Sequence, residues 1–140
     1  MNAIELMEKS FNDAKEAKRL EKEAKNFQLK AIETLFLSLG IEDGKTVFES
    51  PTGNKGVFCI IQNHSGWNIQ FYRLKKNGEP SIKANYEDNR YISFSDAGLT
   101  YKKNDNMYTD KEGNLYSEGA ATVKKLEYLI SQYKNTGKSC

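Results

Sequence analysis

Helical spacing of apolar residues continues without a break through the first 40 residues. Apolar side chains recur every three or four positions from Ile4 to Leu39, and this stretch contains neither proline nor glycine. Gly40 follows as a typical C-terminal stop. We predict one helix, which at 1.5 Å per residue would be roughly 54 Å long. A 140-residue domain has a radius of gyration of only about 14 Å, so part of the helix must overhang, pair with another helix or bend.

The apolar stripe changes character along this predicted helix. From Phe27 to Leu39 it is broad, as in a helix that lies on a domain core. From Asp13 to Asn26 it narrows to three alanines and a leucine, which is typical of a helix–helix seam of the coiled-coil kind, although the spacing departs from a regular heptad. We therefore predict that residues 1–40 are an association element and that a dimer is the favoured state. The predicted oligomerisation residues are Ile4, Met7, Phe11 and Leu20.

Short alternating or apolar runs replace the helical pattern after residue 45. Turn residues about every ten positions predict an antiparallel meander of about five or six strands. The run 57–62 is apolar on both faces and predicts a central strand that is covered on both sides. The candidate strand segments are 46–49, 57–62, 67–74, 81–86, 90–94, 99–103, 107–109 and 114–116.

Helical spacing returns near the C-terminus. A helix is predicted from about Ala120 to Lys134, with Ser117 as its N-cap and Gly137 as its stop. The order helix, antiparallel sheet, helix predicts an α+β fold. We divide the chain into the N-terminal helix, 1–40, and a sheet-plus-helix unit, 45–140.

Composition narrows the function classes more than it selects one. The net charge of +2 favours neither a polyelectrolyte that binds nucleic acid nor an acidic mimic of it. Two cysteines do not make a disulfide framework, and neither a signal core nor a membrane span is present, so a cytoplasmic protein is expected. Only three of the 21 basic residues are arginines, a bias that hints at an AT-rich genome such as that of a low-GC bacterium or its phages.

No motif for catalysis or metal binding stands out. His64 is the only histidine, and the sequence supplies no carboxylate to orient it towards Cys59. Asp105, Asp110 and Glu112 lack the spacing of a calcium loop. We therefore expect no catalytic residue, no metal and no cofactor, and a protein that is not an enzyme. An enzyme would require a perturbed titratable pair in a cleft.

Tyrosine and arginine on the predicted strands are the best candidate binding residues. Both residue types are over-represented as anchors of protein interfaces, and both can stack on a base or pair with a phosphate. Tyrosine is also an ordinary strand residue, and lysine is ordinary at sheet edges. The candidate partner- or ligand-binding residues are Tyr72, Arg73, Tyr86, Arg90 and Tyr91.

Two functions are compatible with these features. The first is a small non-enzymatic protein-interaction protein; one form of it would be a phage or mobile-element inhibitor that binds a host defence protein. The alternative is a module that binds a nucleotide or single-stranded nucleic acid through the tyrosine and arginine residues. For the protein-interaction function we expect self-association and a protein partner, whose identity the sequence does not give. We expect no association with a membrane.

Overall fold

Helix α1 is a single helix, Ala3–Ser38, in a computed structural model that describes all 140 residues. Asn2 caps its start, since the Asn2 side chain accepts a hydrogen bond of 2.9 Å from the backbone N–H of Glu5. At its end Gly40 adopts a φ of +70°, and the N–H of Ile41 donates to the carbonyl of Phe36 over 2.8 Å. This left-handed glycine cap explains why the helix stops where the sequence predicted.

Seven antiparallel strands and a second helix follow, which confirms the α+β class. In chain order the elements are β1 Thr46–Glu49, β2 Lys55–Asn63, β3 Gly66–Arg73, β4 Thr100–Lys102, β5 Met107–Thr109, β6 Leu115–Tyr116, α2 Glu118–Ser131 and β7 Lys134–Ser139. Four strands form one sheet in the order β3-β2-β1-β7, and three form a small sheet in the order β4-β5-β6.

The core lies between one face of the four-stranded sheet and the two helices. Its centre is a group of aromatic rings: Phe58 lies edge-on to Phe48, Phe71 and Tyr133, with centroids 4.7–5.4 Å apart. α1 contributes three side chains to this core and α2 contributes one, so both helices lie on the same face of the sheet. The helical residues are Ile32, Leu35, Phe36 and Ile130.

The opposite face of the sheet is covered at one end only. Val47 and Val57 are a register pair on this face, and both are buried. Cys59 and Ile61, further along β2, are half-buried. Double coverage, predicted for the whole run 57–62, is therefore found only at its beginning.

Two predicted strands are absent, and the predicted C-terminal helix ends earlier than expected. Residues 81–86 and 90–94 are not strands but an irregular connection between β3 and β4. The C-terminal helix ends at Ser131 rather than at Lys134, and strand β7 follows it. β7 is polar throughout and pairs with β1 through its backbone, so it carries no apolar pattern from which to predict a strand. Gly137, predicted as a helix stop, adopts a φ of +71° within β7.

None of the helices has the length and apolar character that a membrane crossing requires.

Candidate functional site

The first 22 residues of α1 form no hydrogen bond or ion pair with the sheets or with α2. Every residue from Ala3 to Ala24 is exposed, and the first half-buried residue of the helix is Lys25. Twenty-two residues of helix are about 33 Å long. The predicted association residues all lie on this projecting part and keep half or more of their surface exposed: Ile4, Met7, Phe11 and Leu20.

These four residues do not share one face. Ile4, Met7 and Phe11 follow a three-four spacing and lie on one side of the helix; we call this surface the tip patch. Leu20 is nine residues beyond Phe11, which is about two and a half turns, so it lies on the opposite side. The structure therefore divides the predicted seam into two surfaces.

The five predicted binding residues are also divided. Tyr72 is half-buried on the sheet face opposite the core, where its hydroxyl lies 3.5 Å from Gln70 Oε1. Arg73 is engaged by two carboxylates of its own chain, Asp88 and Glu87. The structure brings the remaining three together in the connection that replaces the predicted strands: Tyr86, Arg90 and Tyr91.

Asp88 fixes this connection to the sheet. Its carboxylate is fully buried and accepts hydrogen bonds from Arg73 Nε, 2.5 Å, and from the Thr52 hydroxyl, 2.7 Å. Its backbone carbonyl accepts a hydrogen bond from the hydroxyl of Tyr133. Burial alone would raise the pKa of Asp88, but the hydrogen bonds, led by that of Arg73, outweigh burial and leave this pKa below its usual value.

Asn89 occupies the place of a strand partner at the edge of the sheet. Its Oδ1 accepts from the N–H of Phe71 over 2.7 Å, and its Nδ2 donates to the carbonyl of Phe71 over 2.8 Å. β3 is an edge strand, and one side-chain amide here satisfies both of its outward-facing backbone groups at this residue. Residues 85–91, which we call the anchored segment, are thus held at their middle by Asp88 and Asn89, while Tyr86, Arg90 and Tyr91 on either side are exposed.

A cavity of about 380 Å³ lies between the anchored segment, β3 and α2. We call it the edge cavity. Its rim carries Tyr86, Arg90 and Tyr91, α2 contributes Lys125, and its deeper wall is apolar, with Leu126 and Leu129. Four side-chain amides also line it: Asn63, Asn68, Gln70 and Asn89.

Three residues of this site were missed by reading the sequence: Asp88, Asn89 and Lys125. Asp88 and Asn89 lie between the two segments predicted as strands, 81–86 and 90–94. The signal for their role is their side-chain chemistry, since Asp and Asn can replace ladder hydrogen bonds of the backbone. Lys125 was part of a predicted helix with no special role. Its Nζ lies 4.4 Å from the centroid of the Phe94 ring.

The remaining candidates have no arrangement for chemistry. His64 is exposed in the turn between β2 and β3. Burial, and then the charge of Asp43, raises the pKa of the Cys59 thiol to about 11, which keeps it protonated and a poor nucleophile near neutral pH. Nowhere do three or more His, Cys, Asp or Glu side chains lie close enough together to hold a metal ion.

Asp110 is occupied by its own turn. It accepts hydrogen bonds from both the N–H and the side-chain amide of Asn114, from the N–H of Glu112, and from the hydroxyl of Tyr116. These bonds, led by that of the Asn114 side chain, lower its pKa to about 2. The oxygens that a cation loop would need are therefore bound to donors of the protein.

Comparison of the chain with models of protein families, with characterised proteins and with solved structures finds no match to any of them.

Proposed function

We propose that this chain is a non-enzymatic protein-interaction protein that self-associates through the tip patch of α1. The observation that carries the proposal is the projecting helix, whose apolar residues remain in water although the chain has a core of its own. Ile4, Met7 and Phe11 are 57–70% exposed. On the grounds of composition and size, the target of the assembled protein is proposed to be a host protein.

A helix of this length that packs against nothing is expected to be only marginally stable in water. Isolated helices are marginal, and most helix stability in proteins comes from packing of an apolar face. The projecting part has a capped start and ion pairs one turn apart, such as Lys9–Asp13 at 2.9 Å and Arg19–Glu23 at 2.7 Å. Such pairs contribute about 0.2–0.5 kcal/mol each, whereas burying one large apolar side chain contributes about 1.5–3 kcal/mol. A partner on the tip patch would therefore stabilise the helix more than its own charges do.

A second copy of the chain fits the position of the patch. Phe11 and the core residue Phe36 are 25 residues apart, which is close to seven whole turns, so the patch lies on the same side of α1 as the body. It is about 38 Å further along the helix. An α1 helix packed antiparallel would bring the body of the second copy beneath the tip of the first. Each copy would then cover the other through the same surface, which is how a closed two-fold dimer forms.

The test is the mass of the full-length protein in solution, measured by sedimentation or light scattering. We expect twice the chain mass of 16.0 kDa. Phe11→Asp should be a monomer whose sheet and core stay folded, as a cooperative denaturant transition would show. Leu20→Asp is the matched control, because it places the same charge on the same free helix but on the opposite side. A monomeric wild-type protein at tens of micromolar, or a Phe11→Asp variant that remains a dimer, would overturn the proposal.

A further inference from the structure

We propose that the edge cavity binds a nucleoside phosphate, with the base stacked on Tyr86 or Tyr91 and the phosphate held by Arg90 and Lys125. This site is separate from the tip patch and gives the protein a ligand as well as a partner. The ligand chemistry, an aromatic base that carries a phosphate, occurs both in free nucleotides and in single-stranded nucleic acid.

The charge of the cavity indicates an anion. The only charged side chains that line it are Arg90 and Lys125, and both are cationic. Arg90 forms no ion pair and no side-chain hydrogen bond within the chain, in contrast to Arg73, which is held by Asp88 and Glu87. An arginine without an internal partner retains its fork of donors for an external phosphate.

The aromatic residues at the rim indicate a planar ligand. Tyr86 and Tyr91 are 85% and 84% exposed, and their hydroxyls have no hydrogen-bond partner in the chain. Large rings held in water at the rim of a cavity are surfaces on which a base can stack. Neither ring contributes to the core, so the fold itself gives no reason for their position.

The remaining lining suits the edge of a base. The side-chain amides of Asn68 and Gln70 can donate and accept hydrogen bonds, as the edges of bases require. At about 380 Å³ the cavity is at the lower end of ligand pockets, which range over roughly 300–1,000 Å³. That volume favours one nucleoside phosphate over a larger cofactor.

The site is also held in place before any ligand arrives. Asp88 and Asn89 fix the anchored segment through hydrogen bonds to Arg73, Thr52 and Phe71. Ordering of a loop on binding normally lowers affinity, and here the middle of the segment is already ordered.

The experiment titrates full-length protein with AMP, with inorganic phosphate and with a ten-nucleotide thymidine oligonucleotide, by calorimetry or by NMR of the backbone amides. We expect AMP to bind in the micromolar to millimolar range and more weakly as salt is raised. Tyr91→Ala and Arg90→Ala should each weaken binding about tenfold, because stacking and a phosphate contact are each of that order. Both side chains are exposed and carry no internal hydrogen bond, so these substitutions leave the fold intact.

Arg19→Ala is the matched control, since it removes an arginine of the projecting helix, and it should leave AMP affinity unchanged. An oligonucleotide that binds tenfold or more tightly than AMP, with the same dependence on Arg90, would identify single-stranded nucleic acid as the source of the ligand. Three outcomes would overturn the proposal. The first is that AMP does not bind with a dissociation constant of about 1 mM or lower. The others are that phosphate alone binds as tightly as AMP, or that Arg90→Ala leaves the affinity for AMP unchanged. Phe11→Asp changes the mass of the protein in solution and leaves the edge cavity unaltered. Failure of the nucleotide proposal can therefore be distinguished from failure of the self-association proposal.

Discussion

The two ends of helix α1 carry similar apolar residues in opposite surroundings. Near its end Phe36 is 2% exposed and packs in the core, whereas near its start Phe11, on the same side of the helix, is 62% exposed. Helical periodicity is a local property of the sequence, and it is as regular in water as it is in the core. An apolar stripe therefore identifies a face that a helix could bury, while the extent of the folded body decides how much of the stripe the chain buries for itself.

The largest expected difference between the two ends is the cost of losing a phenylalanine. Phe36→Ala should lower the free energy of unfolding by about 4 kcal/mol at any protein concentration, because it leaves a cavity in the core. Phe11→Ala should cost less than about 0.5 kcal/mol in dilute protein, where its ring contacts only solvent. Denaturant unfolding at several protein concentrations measures both.

The cost of losing the Phe11 ring should depend on protein concentration. If the tip patch is a dimer interface, the cost of Phe11→Ala should grow as the protein is concentrated, since association stabilises the folded chain by mass action. A cost for Phe11→Ala that equals that of Phe36→Ala in dilute protein would contradict the description of the two ends.

The same contrast explains which parts of the fold the sequence could predict. α1, β2 and β3 have periodic apolar residues whose spacing is set by the element itself, so their position follows from local pattern. Strand β7 has none, because its contribution is backbone pairing to β1, which is almost 90 residues earlier in the chain. The prediction of strands around the anchored segment was wrong for a related reason. Asn89 replaces strand pairing by side-chain hydrogen bonds to Phe71, and nothing in the sequence marks Phe71 as its partner.

The sequence selected tyrosine and arginine by residue type, and it could not predict their arrangement. In the structure, three of the five selected residues line one cavity. Arg73 and Arg90 look alike in sequence. In the structure Arg73 forms an ion pair with Asp88, whereas Arg90 has no partner within the chain. Only the three-dimensional position of a carboxylate distinguishes an arginine that holds the fold together from one that is available to a ligand.

The next largest difference is the cost in stability of removing a paired carboxylate from the body rather than from the projecting helix. Asp88→Ala should cost about 3 kcal/mol, because it removes a buried carboxylate that accepts from Arg73 and Thr52. Glu23→Ala, which removes the 2.7 Å pair with Arg19 on the exposed helix, should cost less than about 0.5 kcal/mol. Thermal or denaturant unfolding of the two variants provides the measurement.

Acid pH offers an independent check on Asp88. Its pKa in the folded protein lies below the usual carboxyl value, so its contribution to stability is complete above about pH 4 and is lost as the pH falls through the folded-state pKa. The Asp88→Ala variant should therefore lose less stability on acidification than the wild type. Equal losses in the two proteins would mean that Asp88 does not carry the ion pair described here.

Tyr133 joins the core to the anchored segment through one hydrogen bond, so its loss should cost less than the loss of Phe36 or Asp88. Burial, and then the charge of Asp88, raises the pKa of Tyr133 to about 12. Because the folded-state pKa lies above the unfolded value of about 10, the stability from the neutral hydroxyl is complete below pH 10 and is lost as the pH rises from 10 to 12. Tyr133→Phe removes one hydrogen bond and should cost about 1 kcal/mol at neutral pH.

The free energies of unfolding of the wild type and of Tyr133→Phe should converge as the pH rises, since the phenylalanine variant has no phenol to ionise at this position. Tyr86→Phe is the control, because the Tyr86 ring is exposed and its hydroxyl has no hydrogen-bond partner in the chain, so this substitution should leave the stability at neutral pH unchanged. Denaturant midpoints between pH 8 and pH 11 measure all three proteins. A gap between the wild type and Tyr133→Phe that stays constant over this range would show that Tyr133 does not titrate with folding.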